Sequence, residues 1–180
     1  MGDDPYMTVR SVADIDRYMD RLRDSARKAK DRIATQTCDP LELFHQLKFS
    51  KIGFHPVSGN ALNLLEQINQ TWTYATAFVA ARQLLSMHPE AGGLRLAPGA
   101  HASIDLDIMS EVEGLVGAEV FAAVTPTNNK KLAKDLAKMA NRHEQYRYVF
   151  FGCPDYSRTE RRREFDRDGV EVWSVAVQIR

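Results

Sequence analysis

Three acidic residues in the second half of the chain lie in segments with the hydrophobic pattern of β-strands. Asp105 and Asp107 alternate with apolar residues over 103–108, and Glu119 lies twelve residues beyond Asp107 inside a nearly continuous apolar run. A carboxylate in apolar surroundings is costly unless a cation or a hydrogen-bond donor compensates its charge, and neighbouring carboxylates repel one another. The pattern predicts a buried, paired carboxylate at Glu119, with a metal ion or an arginine as its partner. For Asp105 and Asp107 the alternative is the solvent face of an edge strand.

A fourth acidic residue, Glu66, belongs to a polar strip on an otherwise apolar helical segment. The strip consists of residues at helical spacing, namely Asn63, Glu66, Gln70 and Thr73. Residues at this spacing share one face of a helix. The strip therefore indicates either polar side chains directed towards a site or the exposed side of a surface helix.

The elements that must position these residues follow from the hydrophobic periodicity. Beyond residue 50 it predicts a helix over 60–88, strands at 94–96, 103–108 and 116–124, a helix over 129–142, and strands at 146–151 and 170–177. The predicted fold class is α/β, with a helix, a three-strand meander, a crossover helix and two further strands. We assign 51–180 to this domain and 1–50 to an N-terminal helical extension.

This order of elements, with acidic residues on the second and third strands, resembles the restriction-endonuclease-like superfamily, whose signature is PD-(D/E)xK. The resemblance covers about residues 57–177. It implies a mixed sheet in which Asp107 (or Asp105) and Glu119 hold one or two divalent cations, Mg²⁺ with Mn²⁺ as a substitute. Glu66 matches a further metal-binding Glu that the preceding helix often supplies in that family.

The chain departs from the signature at the lysine expected two residues after Glu119, where Phe121 stands. Strand alternation predicts that Phe121 shares the face of Glu119 and occupies the position of the missing lysine. Lys130 or Lys131, early on the following helix, is the expected replacement. The resemblance then implies a Mg²⁺-dependent endonuclease that hydrolyses phosphodiester bonds, acting on DNA rather than RNA. The alternative is an inactive member that binds nucleic acid or a protein partner.

The N-terminal extension begins with a helix that Ser11 is placed to cap. Its apolar residues recur every three or four positions: Val12, Ile15, Met19, Leu22, Ala26, Ala29 and Ile33. This stripe predicts packing against the rest of the same chain or, alternatively, a homodimer contact. Asp39 and Pro40 have the N-cap and first-turn pattern of a second, shorter helix.

Composition excludes several other classes of protein. Hydrophobic residues make up 44% of the chain and charged residues 27%, as in an ordinary globular domain. No apolar run can span a bilayer, and the acidic N-terminus does not resemble a secretory signal. The two distant cysteines, Cys38 and Cys153, suggest a reducing compartment, so we expect a cytoplasmic protein. The sequence contains no nucleophile elbow, phosphate-binding loop or dinucleotide-binding glycine pattern.

Overall fold

The computed structural model describes residues 6–99 and 105–178 of the chain, and all element counts refer to that part. It contains four α-helices: α1 (Val12–Ala34), α2 (Pro40–Phe49), α3 (Leu64–Met87) and α4 (Lys131–Ala140). The nine strands are β1 (Met7–Val9), β2 (Gly53–Phe54), β3 (Ala61–Leu62), β4 (Leu94–Leu96), β5 (Ile108–Ser110), β6 (Val116–Ala122), β7 (Tyr146–Gly152), β8 (Glu160–Arg161) and β9 (Val170–Val175). Among these residues no helix is both long and apolar enough to cross a membrane.

Seven of the strands form one mixed sheet in the order β1-β4-β5-β6-β7-β9-β8, and β2 and β3 form a separate hairpin. Strands β4, β5 and β6 are an antiparallel meander. Strand β7 pairs in parallel with both β6 and β9, and every other pairing is antiparallel. Parallel neighbours need a crossover connection, and α4 supplies it between β6 and β7. The predicted α/β class is confirmed.

Helices cover both faces of the sheet, and a hydrophobic cluster lies on each side. On one face α1 and α3 pack against the sheet, with Phe78 and Phe150 fully buried. On the other face α4 packs over a second cluster that contains Met139 and Phe151. Because Phe150 and Phe151 are consecutive residues of β7, the alternation of this strand places apolar side chains in both clusters.

The segment predicted as a helical extension contributes a strand to the sheet and a helix to the layer that covers it. Ser11 and Asp14 form a capping box at the start of α1, as predicted. Helix α1 packs against α3 of the same chain, and Ile15 and Leu22 of the α1 stripe share a hydrophobic cluster with α3 residues such as Phe78. Ala29 of the stripe is also buried. The preceding residues form β1, which pairs with β4 at the sheet edge and which periodicity did not predict. The homodimer through this stripe and the boundary at residue 50 stay predictions.

The second strand of the meander differs from its prediction. Within the described residues it begins only at Ile108, after a bend over 105–107, while Ser103 and Ile104 lie outside the described residues. Strict alternation over 103–108 predicts that Leu106 and Ile108 share a face. That prediction is wrong, since the two residues belong to the hydrophobic clusters on opposite faces. The reason is the bend, which interrupts the alternation before Ile108.

Two predicted helix boundaries are also corrected. Helix α3 begins at Leu64 because the Asn63 side chain accepts the backbone N–H of Glu66 as an N-cap, so Asn63 caps the helix that it was expected to belong to. Helix α4 begins at Lys131 because Asn129 and Lys130 adopt positive φ angles of 53° and 56°, which a right-handed helix does not allow.

Close packing between α3 and β7 yields a stability prediction. A Cβ atom added at Gly152 would lie 2.5 Å from the Thr76 hydroxyl oxygen, which is held by its hydrogen bond to the Trp72 carbonyl. We expect Gly152→Ala to lower the free energy of unfolding by roughly 1–3 kcal/mol through overpacking. Urea denaturation of the single variants and of Gly152→Ala combined with Thr76→Ala measures this effect. Equal costs in the two backgrounds would show that the overlap with Thr76 is not the cause.

Candidate functional site

An open cleft of about 890 Å³ lies at one edge of the sheet. The end of β4, the start of β5 and the end of β6 meet at this edge because the three strands form an antiparallel meander. The polar side chains that line it come from several elements: Asn69 and Thr73 of α3, Asp107 before β5, Glu119 of β6, Asn128 and Asn129 before α4, and Lys131 and Lys138 of α4. The cleft therefore brings together acidic and basic side chains from elements that are distant in sequence.

Asp107 and Glu119, two of the predicted site residues, lie in this cleft together. Ile108 pairs with Ala118, so one step further along the meander Asp107 comes opposite Glu119. An Asp107 carboxylate oxygen accepts the backbone N–H of Val120 at 2.8 Å. Strand β5 begins only at Ile108, so it supplies no backbone acceptor for the Val120 N–H. The Asp107 side chain is the acceptor instead. The bend over 105–107 thus fixes the Asp107 side chain against β6.

The environment of Asp107 disfavours its negative charge. Burial raises the pKa of the Asp107 carboxyl to about 7, and the neighbouring charge of Glu119 adds to this increase. The hydrogen bond from Val120 and the charge of Lys131 act in the opposite direction. The cleft therefore holds a carboxylate pair whose combined charge the protein only partly compensates.

Glu119 is buried, with 4% of its surface exposed, and its partner is Lys138. The Lys138 ammonium donates a hydrogen bond of 2.8 Å to Glu119 Oε1 from the last turn of α4. The prediction of a buried, paired carboxylate is confirmed, although the partner is a lysine and not the arginine considered as an alternative to metal. The spacing of Lys131, Lys134 and Lys138 places all three on one side of α4. The sequence does not separate Lys138 from Lys134, because the docking of α4 on the sheet decides which of them reaches Glu119.

Asp135 of α4 is a buried acidic residue that the sequence pattern did not single out. One of its carboxylate oxygens accepts a 2.7 Å hydrogen bond from the Lys131 ammonium. The other oxygen is buried, and no residue in the described ranges hydrogen-bonds to it. Burial raises the pKa of Asp135 to about 6 against the opposing effect of Lys131, and the charge of Glu119 contributes to the increase.

Lys131 remains cationic in this setting. Burial opposes its charge, but the hydrogen bond to Asp135 and the nearby charges of Asp135, Asp107 and Glu119 together raise its pKa. Three carboxylates and two ammonium groups are thus electrostatically coupled at one end of the sheet.

Phe121 lies on the same side of β6 as Glu119, as alternation predicts. Its ring belongs to the hydrophobic cluster beneath α4 and stacks on Phe151 with 6.0 Å between ring centroids. Phe121 also contributes to the wall of the cleft. The position two residues after Glu119 is therefore apolar and well packed, and the cationic groups of the site come from α4.

The structure does not bring the other predicted site residues to the cleft. Glu66 is exposed on α3, and its carboxylate accepts a hydrogen bond from Gln70. The Asp105 side chain is 76% exposed and lies 3.4 Å from an Arg142 nitrogen. Lys130 is exposed at the start of α4 and is not among the residues that line the cleft, whereas Lys131 is. Helix α3 instead presents Asn69 and Thr73, and Thr73 belongs to the polar strip noted in the sequence.

Chemically, the cleft offers carboxylate oxygens for a cation and ammonium groups for an anion. Across residues 6–99 and 105–178, no group of three or more His, Cys, Asp or Glu side chains is arranged to hold a metal ion. A cation at this site would therefore rest on the two carboxylates of Asp107 and Glu119. Lys131 and Lys138 are placed to contact a phosphate at the same cleft.

Comparison of the chain with protein-family models, curated proteins and solved structures finds no match.

The raised pKa of Asp107 predicts a pH-dependent effect of Asp107→Asn on stability. Because the folded-state pKa lies above the unfolded value, the stability that the protonated carboxyl contributes is present below about pH 4 and is lost as pH rises through 7. Asparagine does not ionise and retains an oxygen that can accept from Val120. We expect the variant to gain roughly 2–4 kcal/mol relative to wild type between pH 4 and pH 8.

Urea denaturation in the presence of a chelator measures this difference, with Asp105→Asn as the control for an exposed aspartate two residues away. A difference that does not change with pH, or one equally large in the control, would contradict the prediction.

Proposed function

We propose that this protein is a divergent member of the restriction-endonuclease-like superfamily that hydrolyses phosphodiester bonds in DNA with Mg²⁺. The observation that carries the proposal is the convergence of Asp107 and Glu119 with Lys131 and Lys138 at one open cleft. Two carboxylates that can bind a cation lie beside two ammonium groups that can contact a phosphate.

The arrangement of elements supports the same class. A long helix (α3) precedes the antiparallel meander β4–β5–β6, and α4 then crosses over to β7, which pairs in parallel with β6. This is the order that the resemblance implies, with one acidic residue at the second strand of the meander and one on the third. No other described element interrupts the series between α3 and β7 apart from short 3₁₀ turns.

The donor set fits a magnesium ion that keeps much of its water. Mg²⁺ prefers oxygen ligands and is commonly bound through one or two carboxylates. Asp107 and Glu119 supply two carboxylates that line the open cleft, and the raised pKa of Asp107 reflects a negative charge that a cation would stabilise. These two residues would hold the ion. When bound, it would lower the pKa of a water molecule and offset the charge of the phosphate.

Lys138 takes the role expected of the missing motif lysine in this proposal. Its ammonium is held beside Glu119 at 2.8 Å, and Lys131 lies in the same cleft. A preorganised cationic donor stabilises negative charge that develops on a phosphate in the transition state. The phenyl ring of Phe121 cannot do so, and its packing beneath α4 leaves this task to the two lysines.

Calorimetric titration with Mg²⁺ and Mn²⁺ tests whether the cleft binds a metal ion. We expect saturable binding to the wild type and its loss in Asp107→Asn and Glu119→Gln. Because Lys138 competes with a cation for Glu119, Lys138→Met should retain or increase the affinity. Glu113→Gln, which alters an exposed carboxylate in the turn before β6, is the matched control. Wild-type protein without saturable binding would contradict the metal site.

Single-turnover cleavage of DNA at saturating protein tests the catalytic role proposed for Lys138. We expect Lys138→Met to lower the rate about 100-fold, the usual scale for removing one stabilising donor. Lys134→Met, an exposed residue one turn earlier on α4, should leave the rate within about threefold because it lies outside the cleft. Equal rates for the two lysine variants would contradict the role assigned to Lys138.

A second candidate function is a non-catalytic module that binds nucleic acid. Two observations favour it: Lys138 already neutralises Glu119, and Phe121 fills the position of the motif lysine. DNA binding that is unaffected by a chelator, together with no metal binding and no cleavage, would select this alternative over the nuclease.

A further inference from the structure

Helix α2 buries none of its residues, although it carries several large apolar side chains. Leu41, Phe44 and Phe49 expose 77%, 69% and 64% of their surface. At 3.6 residues per turn they fall within about 140° of one another around the helix axis. Leu43 and Leu47, on the other side, are half-buried. We call Leu41, Phe44 and Phe49 the α2 ridge. A helix of this length depends on packing for most of its stability, so an unburied ridge indicates a missing partner.

A second apolar surface lies between α1 and α3. It is a groove of about 380 Å³ whose apolar walls are formed by Ala26, Ala29, Ile33, Leu64, Ile68 and Trp72, and we call it the α1–α3 groove. Ile68 and Trp72 remain 44% and 40% exposed, and Leu65 extends the same side of α3 with 48% exposed. The groove is thus a concave apolar surface, whereas the ridge is a convex one.

The area of these surfaces matches what a stable dimer buries. The three ridge residues together with Leu65, Ile68 and Trp72 expose roughly 700 Å², since large apolar side chains carry on the order of 200 Å² each. A specific interface of standard size buries about 800 Å² on each partner.

We propose that two copies of this chain form a twofold-symmetric dimer in which the α2 ridge of each copy packs into the α1–α3 groove of the other. Ridge and groove belong to the same chain, so a twofold axis can form both contacts at once. Equal numbers of basic and acidic residues, 24 of each, leave no net charge to oppose self-association. This contact differs from a dimer through the whole α1 stripe, because the buried part of that stripe faces α3 of its own chain. The dimer is independent of the proposed nuclease activity.

Sedimentation velocity of the full chain over roughly 1–200 µM tests the proposal. We expect a concentration-dependent dimer whose dissociation constant rises at least tenfold in Phe44→Glu (ridge) and in Trp72→Glu (groove). Val112→Glu is the control, because Val112 is an exposed apolar residue in the turn before β6, outside both surfaces. Circular dichroism checks that each variant is folded.

A mixture of the two variants distinguishes ridge-in-groove packing from other dimers. A Phe44→Glu chain keeps its groove and a Trp72→Glu chain keeps its ridge, so the mixed dimer retains one intact contact. It should therefore form at lower concentration than either variant dimer. A monomeric wild type at all concentrations, variants with unchanged dissociation constants, or a mixture no tighter than its components would each overturn the proposal.

Discussion

The burial of the Glu119 carboxylate in the middle of β6 is the constraint on which this end of the molecule depends. Strand β6 has β5 on one side and β7 on the other, and the residues next to Glu119 are apolar and buried. A charge in such a place must be compensated. Lys138 can compensate it only because α4 crosses this face of the sheet, and the same crossover makes β7 parallel to β6. The crossover that makes β7 parallel to β6 therefore also supplies the cation that the buried Glu119 requires.

The meander explains how Asp107, at the start of one strand, reaches Glu119 on the next. Antiparallel strands bring the end of β4, the start of β5 and the end of β6 to one edge, and the bend before Ile108 turns the Asp107 carboxylate towards β6. One carboxylate is thus fixed by a backbone N–H and the other by an ammonium. Each carboxylate is held in place, yet the repulsion between them remains.

The sequence predicted the parts of this site that depend on local periodicity. The apolar run around Glu119 predicted its burial, and alternation predicted the side on which Phe121 lies. The sequence did not identify Lys138 or Asp135 as site residues, because their role depends on how α4 docks on the sheet, which is a tertiary contact. Asp105 and Asp107 looked equivalent in the sequence. They differ because Asp107 adjoins the first residue of β5 and meets the Val120 backbone N–H, whereas Asp105 lies two residues further from the strand and is exposed. The start of α4 was missed because the positive φ angles of Asn129 and Lys130 have no strong sequence signal outside glycine.

We propose that Asp107 and Glu119 form one cation site with Lys138 as a neighbouring donor. A crystal structure of the protein with Mn²⁺, phased on the anomalous signal of the metal, tests it most directly. We predict a single strong anomalous peak within coordination distance of both the Asp107 and Glu119 carboxylates, which disappears in Glu119→Gln. An unchanged hydrogen bond between Lys138 and Glu119, with no anomalous peak in the cleft, would contradict it.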